Sequence, residues 1–267
     1  MAGVSGAAVP GRLLPAGAEA RPTELFSDKY IPPAPVRFSA PLIPARFLER
    51  RQRFLALVEL PDQRRVWVHV PNSGALTGCL DPGQEILLTH DERPGRKTAY
   101  TWRFVRGAAG WICIDTLAPN RLVAEALAAG RLPGLPRPSR VRAEVAIPQG
   151  SRLDFVLEAA GKLLFIEVKS VTWVEDGVAL FPDGVTSRGR RHLEHLRELA
   201  EQGHQAWNVF VVQRHDAQVL RPAAGVDPAY ARELAHAAAH GVNILVLQEK
   251  ITPPEITLAS MLPFDLT

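Results

Sequence analysis

Apolar and polar residues alternate from Arg152 to Glu158 and again from Leu163 to Lys169, the period of two half-buried strands. Leu153, Phe155 and Leu157 fall on one face of the first strand, and Leu164, Ile166 and Val168 on one face of the second, with Ala159-Ala160-Gly161-Lys162 as the turn. If Glu158 pairs with Leu163, antiparallel counting sets Asp154 opposite Glu167, their Cβ atoms roughly 5 Å apart. Lys169 leaves its strand on the same side as Glu167.

The same pattern organises the rest of the chain. Arg46–Leu60 and Arg64–Val70 read as a strand pair bent at Pro61-Asp62-Gln63, followed by short strands at Glu85–Thr89, Tyr100–Arg106 and Trp111–Asp115. Five such strands in a short span predict a small closed barrel of the OB type. Pro71-Asn72-Ser73-Gly74 is a loop whose Asn72 and Ser73 suit either ligand contact or loop chemistry. Asn120–Ala129 has helical spacing behind Pro119, with Gly130 at its end. A Pro-rich linker leads to a strand at Val141–Ile147, ahead of the central hairpin. Beyond the hairpin come a helix over Ser187–Gln202, a buried strand at Trp207–Gln213, a helix capped by Asp227 and Pro228, and a last strand at Val242–Gln248. The expected organisation is an extension over residues 1–36, a barrel over 37–117 and an α/β domain with a central mixed sheet over 118–267.

With 46% hydrophobic residues and 267 positions, the chain has enough apolar material for two cores. It has no apolar run near membrane-span length, and its first twenty residues lack a basic, apolar leader, so a cytoplasmic protein without membrane contact is expected. Cys79 and Cys113 read as small buried hydrophobes.

A formal charge of +3 permits a polyanionic partner. Arg37, Arg46, Arg50, Arg51, Arg53, Arg64 and Arg65 face only Glu49, Glu59 and Asp62 in the same stretch, with Phe38, Phe47, Phe54 and Trp67 interleaved. That mixture serves phosphate contact and base stacking, and equally a solvated barrel surface over core aromatics. Arg152, Arg188 and His192 are further candidates for nucleic-acid contact.

Two carboxylates at cross-strand distance repel unless they share a proton or a cation. Asp154 and Glu167 holding Mg²⁺ or Mn²⁺, with Lys169 beside them to orient water or stabilise an oxyanion, would make a phosphodiester-hydrolysis site; an edge hairpin with a solvated polar face and a cross-strand Glu–Lys pair accounts for the same residues without chemistry. A turn at Pro148-Gln149-Gly150 would put Glu144 opposite Asp154 as a third acid, but a slip of one residue would turn it away.

The order of elements, with Asp154 on the second strand and Glu167-Val168-Lys169 on the third, resembles the PD-(D/E)xK nuclease superfamily. PNSGALTGC (Pro71–Cys79), NRLVAEAL (Asn120–Leu127), SRLDF (Ser151–Phe155), IEVKSVT (Ile166–Thr172) and FPDGVTSRGRRHL (Phe181–Leu193) resemble the sugar fermentation stimulation protein family. The resemblance implies an OB-like domain followed by a nuclease-like domain, DNA binding, and a link to sugar-utilisation genes. By superfamily analogy it implies that Asp154, Glu167 and the Val168 carbonyl hold a divalent metal, that Lys169 assists the attacking water, and that Glu125 competes with Glu144 as a further ligand. A non-catalytic DNA-binding regulator on the same nuclease-like fold is the alternative it leaves open.

Overall fold

The computed structural model describes residues 33–267 except Glu92 and Gln149. The extension expected at the N-terminus therefore lies outside the described residues up to Pro32. The first strand, β1 (Val36–Arg37), pairs not with the barrel but with the far end of the chain, Val36 opposite Ile256.

The barrel comprises β2 (Leu42–Arg51), β3 (Leu55–Glu59), β4 (Arg65–His69), β5 (Glu85–His90) and β6 (Tyr100–Arg106), with β7 (Trp111–Cys113) added on β6. Its order is β4-β3-β2-β5-β6, closed by parallel pairing of His69 with Thr101. What reads as one strand from Arg46 to Leu60 is two, because the chain reverses at Arg51–Phe54 with Gln52 at φ 55°. No Gly, Pro or Asn marks that turn, so the alternation conceals it. Phe47, Val58, Val68, Ile86 and Trp102 fill the interior. The Trp102 indole N–H donates to the Phe104 carbonyl at 2.8 Å, satisfying the one polar atom that its burial traps.

The second unit contains α1 (Ala118–Ala128), β8 (Arg140–Ala146), β9 (Arg152–Ala159), β10 (Lys162–Val171), β11 (Trp173–Glu175), β12 (Val178–Phe181), α2 (Ser187–Glu201), β13 (Gln205–Val212), β14 (Val219–Pro222), α3 (Pro228–Ala239), β15 (Val242–Thr252) and β16 (Glu255–Met261). Its main sheet runs β1-β16-β15-β13-β10-β9-β8, while β11, β12 and β14 form a small second sheet. Parallel pairing of β10 with β13 and β13 with β15 requires helical crossovers, supplied by α2 and α3.

Both sheet faces are therefore covered, and the inner strands are mostly apolar, with Glu167, Asn208 and Glu249 as buried polar exceptions. Leu122 and Ala126 of α1 pack with Phe155, Leu157, Ile166 and Val209 on one face, joined by Phe38, Phe104 and Cys113 from the N-terminal part. Leu193 and Leu196 of α2 and Tyr230 and Leu234 of α3 cover the other with Val156, Phe210 and Val246. α1 starts at Ala118-Pro119 without a side-chain cap, whereas α2 and α3 each start where a side chain satisfies a free amide. Thr186 accepts from Gly189 N at 3.0 Å, and Asp227 from Tyr230 N at 2.9 Å.

Candidate active site

The β9–β10 hairpin has the register that alternation predicts, Glu158 opposite Leu163 and Phe155 opposite Ile166. The ladder stops there. Leu153 packs with Val156 on the α2 side of the sheet, whereas Phe155 and Leu157 pack on the α1 side, so strict alternation ends at Asp154. Its carboxylate takes over the pairing: Oδ2 accepts the Val168 N–H at 2.7 Å, and Oδ1 accepts the Asn120 amide at 2.8 Å.

Glu167 is 5% exposed. Its Oε1 accepts Lys169 Nζ at 2.7 Å and a short hydrogen bond from His192 Nδ1 on α2. Arg188, one helical turn earlier, donates to His192 Nε2 at 3.4 Å, which leaves Nδ1 as the protonated nitrogen. Three residues beyond His192, His195 Nδ1 meets the Ser151 hydroxyl at 2.7 Å, so α2 is pinned to the hairpin at two successive turns.

Burial raises the Asp154 pKa to about 6, with the charge of Glu167 adding to it against the Val168 N–H, Lys169 and Asn120. Burial pushes Glu167 the same way, but the Lys169 charge and the His192 bond outweigh it and hold the carboxyl low. The environment thus separates two neighbouring carboxyls, one ionised at neutral pH and one easily protonated.

A divalent cation fits this donor set. Glu167 Oε2 is buried and has no hydrogen-bond partner among the described residues, and the charge that raises Asp154 is the charge a cation would cancel. Asp154, Glu167 and the Val168 carbonyl are the groups that would hold it. Among the described residues no three His, Cys, Asp or Glu side chains lie together at metal-binding spacing. Two carboxylates match Mg²⁺, which keeps several waters. Glu125 is exposed on α1. Glu144 stands opposite Asp154 in the β8–β9 register but is exposed, with φ 53°.

The arginines of the barrel are engaged in different ways. Arg50 does not project as a free cation: its guanidinium donates to the carbonyls of Arg53, Asn72 and Gly74 at 2.6, 2.8 and 2.8 Å. Asn72 is buried, donating to Ile114 O and accepting from Gly74 N. Arg50 and Asn72 therefore build the Pro71–Leu76 loop. Arg46 donates to Gly83 O, while Arg51, Arg64 and Arg65 pair with Glu49, Asp62 and Glu59. These last pairs are exposed and cost little to exchange for phosphate. Arg53, Ser73, Arg152 and Arg188 are exposed.

Residues 117–255 match the family profile described as the sugar fermentation stimulation protein RE domain, and residues 48–114 match the SfsA N-terminal OB domain. The chain belongs to the sugar fermentation stimulation protein family. A homologue from Citrifermentans bemidjiense is 42% identical over 228 residues, 85% of this chain and 99% of the relative. One from Geotalea daltonii is 44% identical over 226 residues, 85% and 98% of the two chains. The structure of Pyrococcus furiosus SfsA in complex with Ca²⁺ superimposes with a TM-score of 0.77 at 28% identity, covering 86% of this chain and 98% of that one.

In this member of the sugar fermentation stimulation protein family, Asn120 is the site residue that sequence reasoning passed over. It lies at the start of α1, beside the sheet end where Asp154 emerges, whereas Glu125 is more than a turn further along. Its position directly after Pro119 was the available signal, since helix starts face the ends of strands.

Proposed function

We propose that this protein is a divalent-metal-dependent phosphodiesterase that acts on DNA. The observation that carries this reading is the placing of Asp154 beside Glu167 at a buried strand end, where Lys169 and His192 lock one oxygen of Glu167 and the other has no hydrogen-bond partner among the described residues. Mg²⁺ or Mn²⁺ bound there would polarise a phosphodiester and acidify a water. The Ca²⁺ complex of the Pyrococcus furiosus relative supports a hard-cation site in this fold.

The chain's own residues divide the remaining work. Asn120 and the Val168 N–H aim the Asp154 carboxylate. His192, held by Arg188, fixes Glu167. Lys169 is a partly buried cation at the same carboxylate, placed to hold an attacking water or a developing negative charge. Arg152 and Arg188 are exposed beside the site and supply phosphate contacts, and Arg51, Arg53 and Arg65 extend that attraction over the barrel.

The test is incubation of purified protein with labelled single- and double-stranded DNA and RNA in Mg²⁺, Mn²⁺ or chelator, beside Asp154→Asn. Metal-dependent cleavage of DNA that Asp154→Asn abolishes is the expected result. Binding without cleavage under every condition would overturn catalysis and leave a DNA-binding regulator of sugar-utilisation genes. Cleavage unchanged in Asp154→Asn would move the chemistry elsewhere.

A further inference from the structure

Polar side chains from two neighbouring elements converge behind Glu167. Asn208 on β13 is directly across from Glu167 in the parallel register with β10, so the two side chains leave the same face of the sheet. Tyr230, in the first turn of α3, is wholly buried. Burial, and then the Glu167 charge, keep its phenol protonated and able to donate, while the neighbouring Asn208 amide pulls the other way. Glu167 Oε2, both polar atoms of the Asn208 side chain and the Tyr230 hydroxyl are all out of solvent contact, and none has a hydrogen-bond partner among the described residues.

Packing does not require these polar groups. The Tyr230 ring meets Phe181 edge-on at 5.3 Å. Helix α2 leaves space for it at Gly189, where a Cβ would come 3.2 Å from the ring. A phenylalanine would fill that volume equally well. Asn208 is followed along β13 by Val209, Phe210, Val211 and Val212, and an apolar side chain would suit this interior strand better. Neutral polar groups kept beside a buried carboxylate act on that carboxylate. Lys169 and His192 both bind Oε1, which leaves Oε2 to be governed from this side. A carboxylate oxygen accepts more than one contact, so a donor behind Oε2 is compatible with a cation in front of it.

We propose that Tyr230 and Asn208 are positioning residues that orient the Glu167 carboxylate from its buried side. The benefit to a cation rests on the metal-dependent function proposed above, whereas the influence on Glu167 does not.

The experiment has two arms. In chelator, Tyr230→Phe is compared in the native background and in Glu167→Gln by thermal unfolding, since this variant keeps the ring and therefore the packing. The expected result is a loss of about 2–4 °C in Tm in the native background that disappears in Glu167→Gln. An equal shift in both backgrounds would reduce Tyr230 to a packing residue and overturn the proposal.

In the second arm, Mn²⁺ affinity is read by electron paramagnetic resonance. Tyr230→Phe and Asn208→Leu are expected to weaken it about 10-fold or more, and unchanged affinity in both would overturn the proposal. Failure of the native protein to bind Mn²⁺ would remove the metal-dependent function, and the unfolding cycle would still decide the role of Tyr230.

Discussion

Asp183 occupies the space above Gly74: a Cβ built on Gly74 would lie 2.7 Å from Asp183 Oδ1. The same carboxylate accepts the Leu76 N–H at 3.0 Å. The loop that leads into α2 is thereby docked on the barrel loop that Arg50 assembles. Gly74→Ala is expected to cost about 1–3 kcal/mol through overpacking and to expose the 71–77 loop to protease. Thermal unfolding and limited proteolysis read both effects; an unchanged cleavage pattern would show that the loops are not held by this contact.

Arg50 and the other arginines of the barrel separate in the same kind of measurement. Arg50→Ala removes a guanidinium from the four carbonyls of Arg53, Asn72, Gly74 and Ala75 and is expected to lower stability by about 1.5–3 kcal/mol. Arg53→Ala leaves Tm unchanged and lowers the slope of log affinity for DNA against log salt by about 1. Equal effects of the two substitutions on DNA binding would sink this division.

The Asp154 carboxyl gives the metal-free protein a pH dependence. Its folded pKa of about 6 lies above the unfolded value of about 3.9, a difference equivalent to about 3 kcal/mol. Stability from this group is therefore full below the unfolded pKa and is lost as the pH rises through about 6. In chelator, Asp154→Asn should remove that part of the slope. Added Mn²⁺ should reverse its sign for the native protein, because the cation binds the ionised form. Unfolding curves from pH 4 to 8, with and without metal, check both statements.

Glu249 makes a second titration. It is fully buried on β15, with no partner for either oxygen among the described residues. Burial, and then the Asp115 charge, raise its pKa well above the usual range. The stabilising contribution is again complete below the unfolded pKa and lost as the pH rises. The Tm of Glu249→Gln relative to the native protein should increase steadily from about pH 5 upward. A pH-independent difference would mean that Glu249 is ionised or hydrated in the fold.

The hairpin was legible because its signals are local. Two alternating runs and a four-residue turn fix the register, and the register brings Asp154 and Glu167 to one end of the sheet. The β8 register is open in the sequence, where a turn at Pro148-Gln149-Gly150 is one reading; Ile147 N bonds to Ser151 O at 2.9 Å, as that reading requires. What failed were inferences about where a side chain points at the end of a ladder. Alternation places Leu153 with Phe155, but past the end of the β9–β10 ladder they pack on opposite faces. Glu125 has the right chemistry on the right helix, yet the helix start delivers Asn120. Arg50 and Asn72 have the composition of a phosphate site and are spent on carbonyls of a loop, because a loop between two barrel strands needs its own hydrogen-bond partners. Asn208 and Tyr230 come from elements far along the chain, and nothing in their spacing relates them to Glu167.

The two-residue strand at Val36–Arg37 ties the stretch ahead of the N-terminal barrel to the C-terminal sheet. The described chain starts on the edge of the C-terminal sheet, leaves to build the barrel, and returns. Cutting the protein just before the barrel would therefore strip the outer partner from β16 and leave an open sheet edge, which is a template for self-association. A fragment designed from the family boundaries alone is expected to be sticky for a reason unrelated to its core, and restoring a handful of residues ahead of the barrel should cure it.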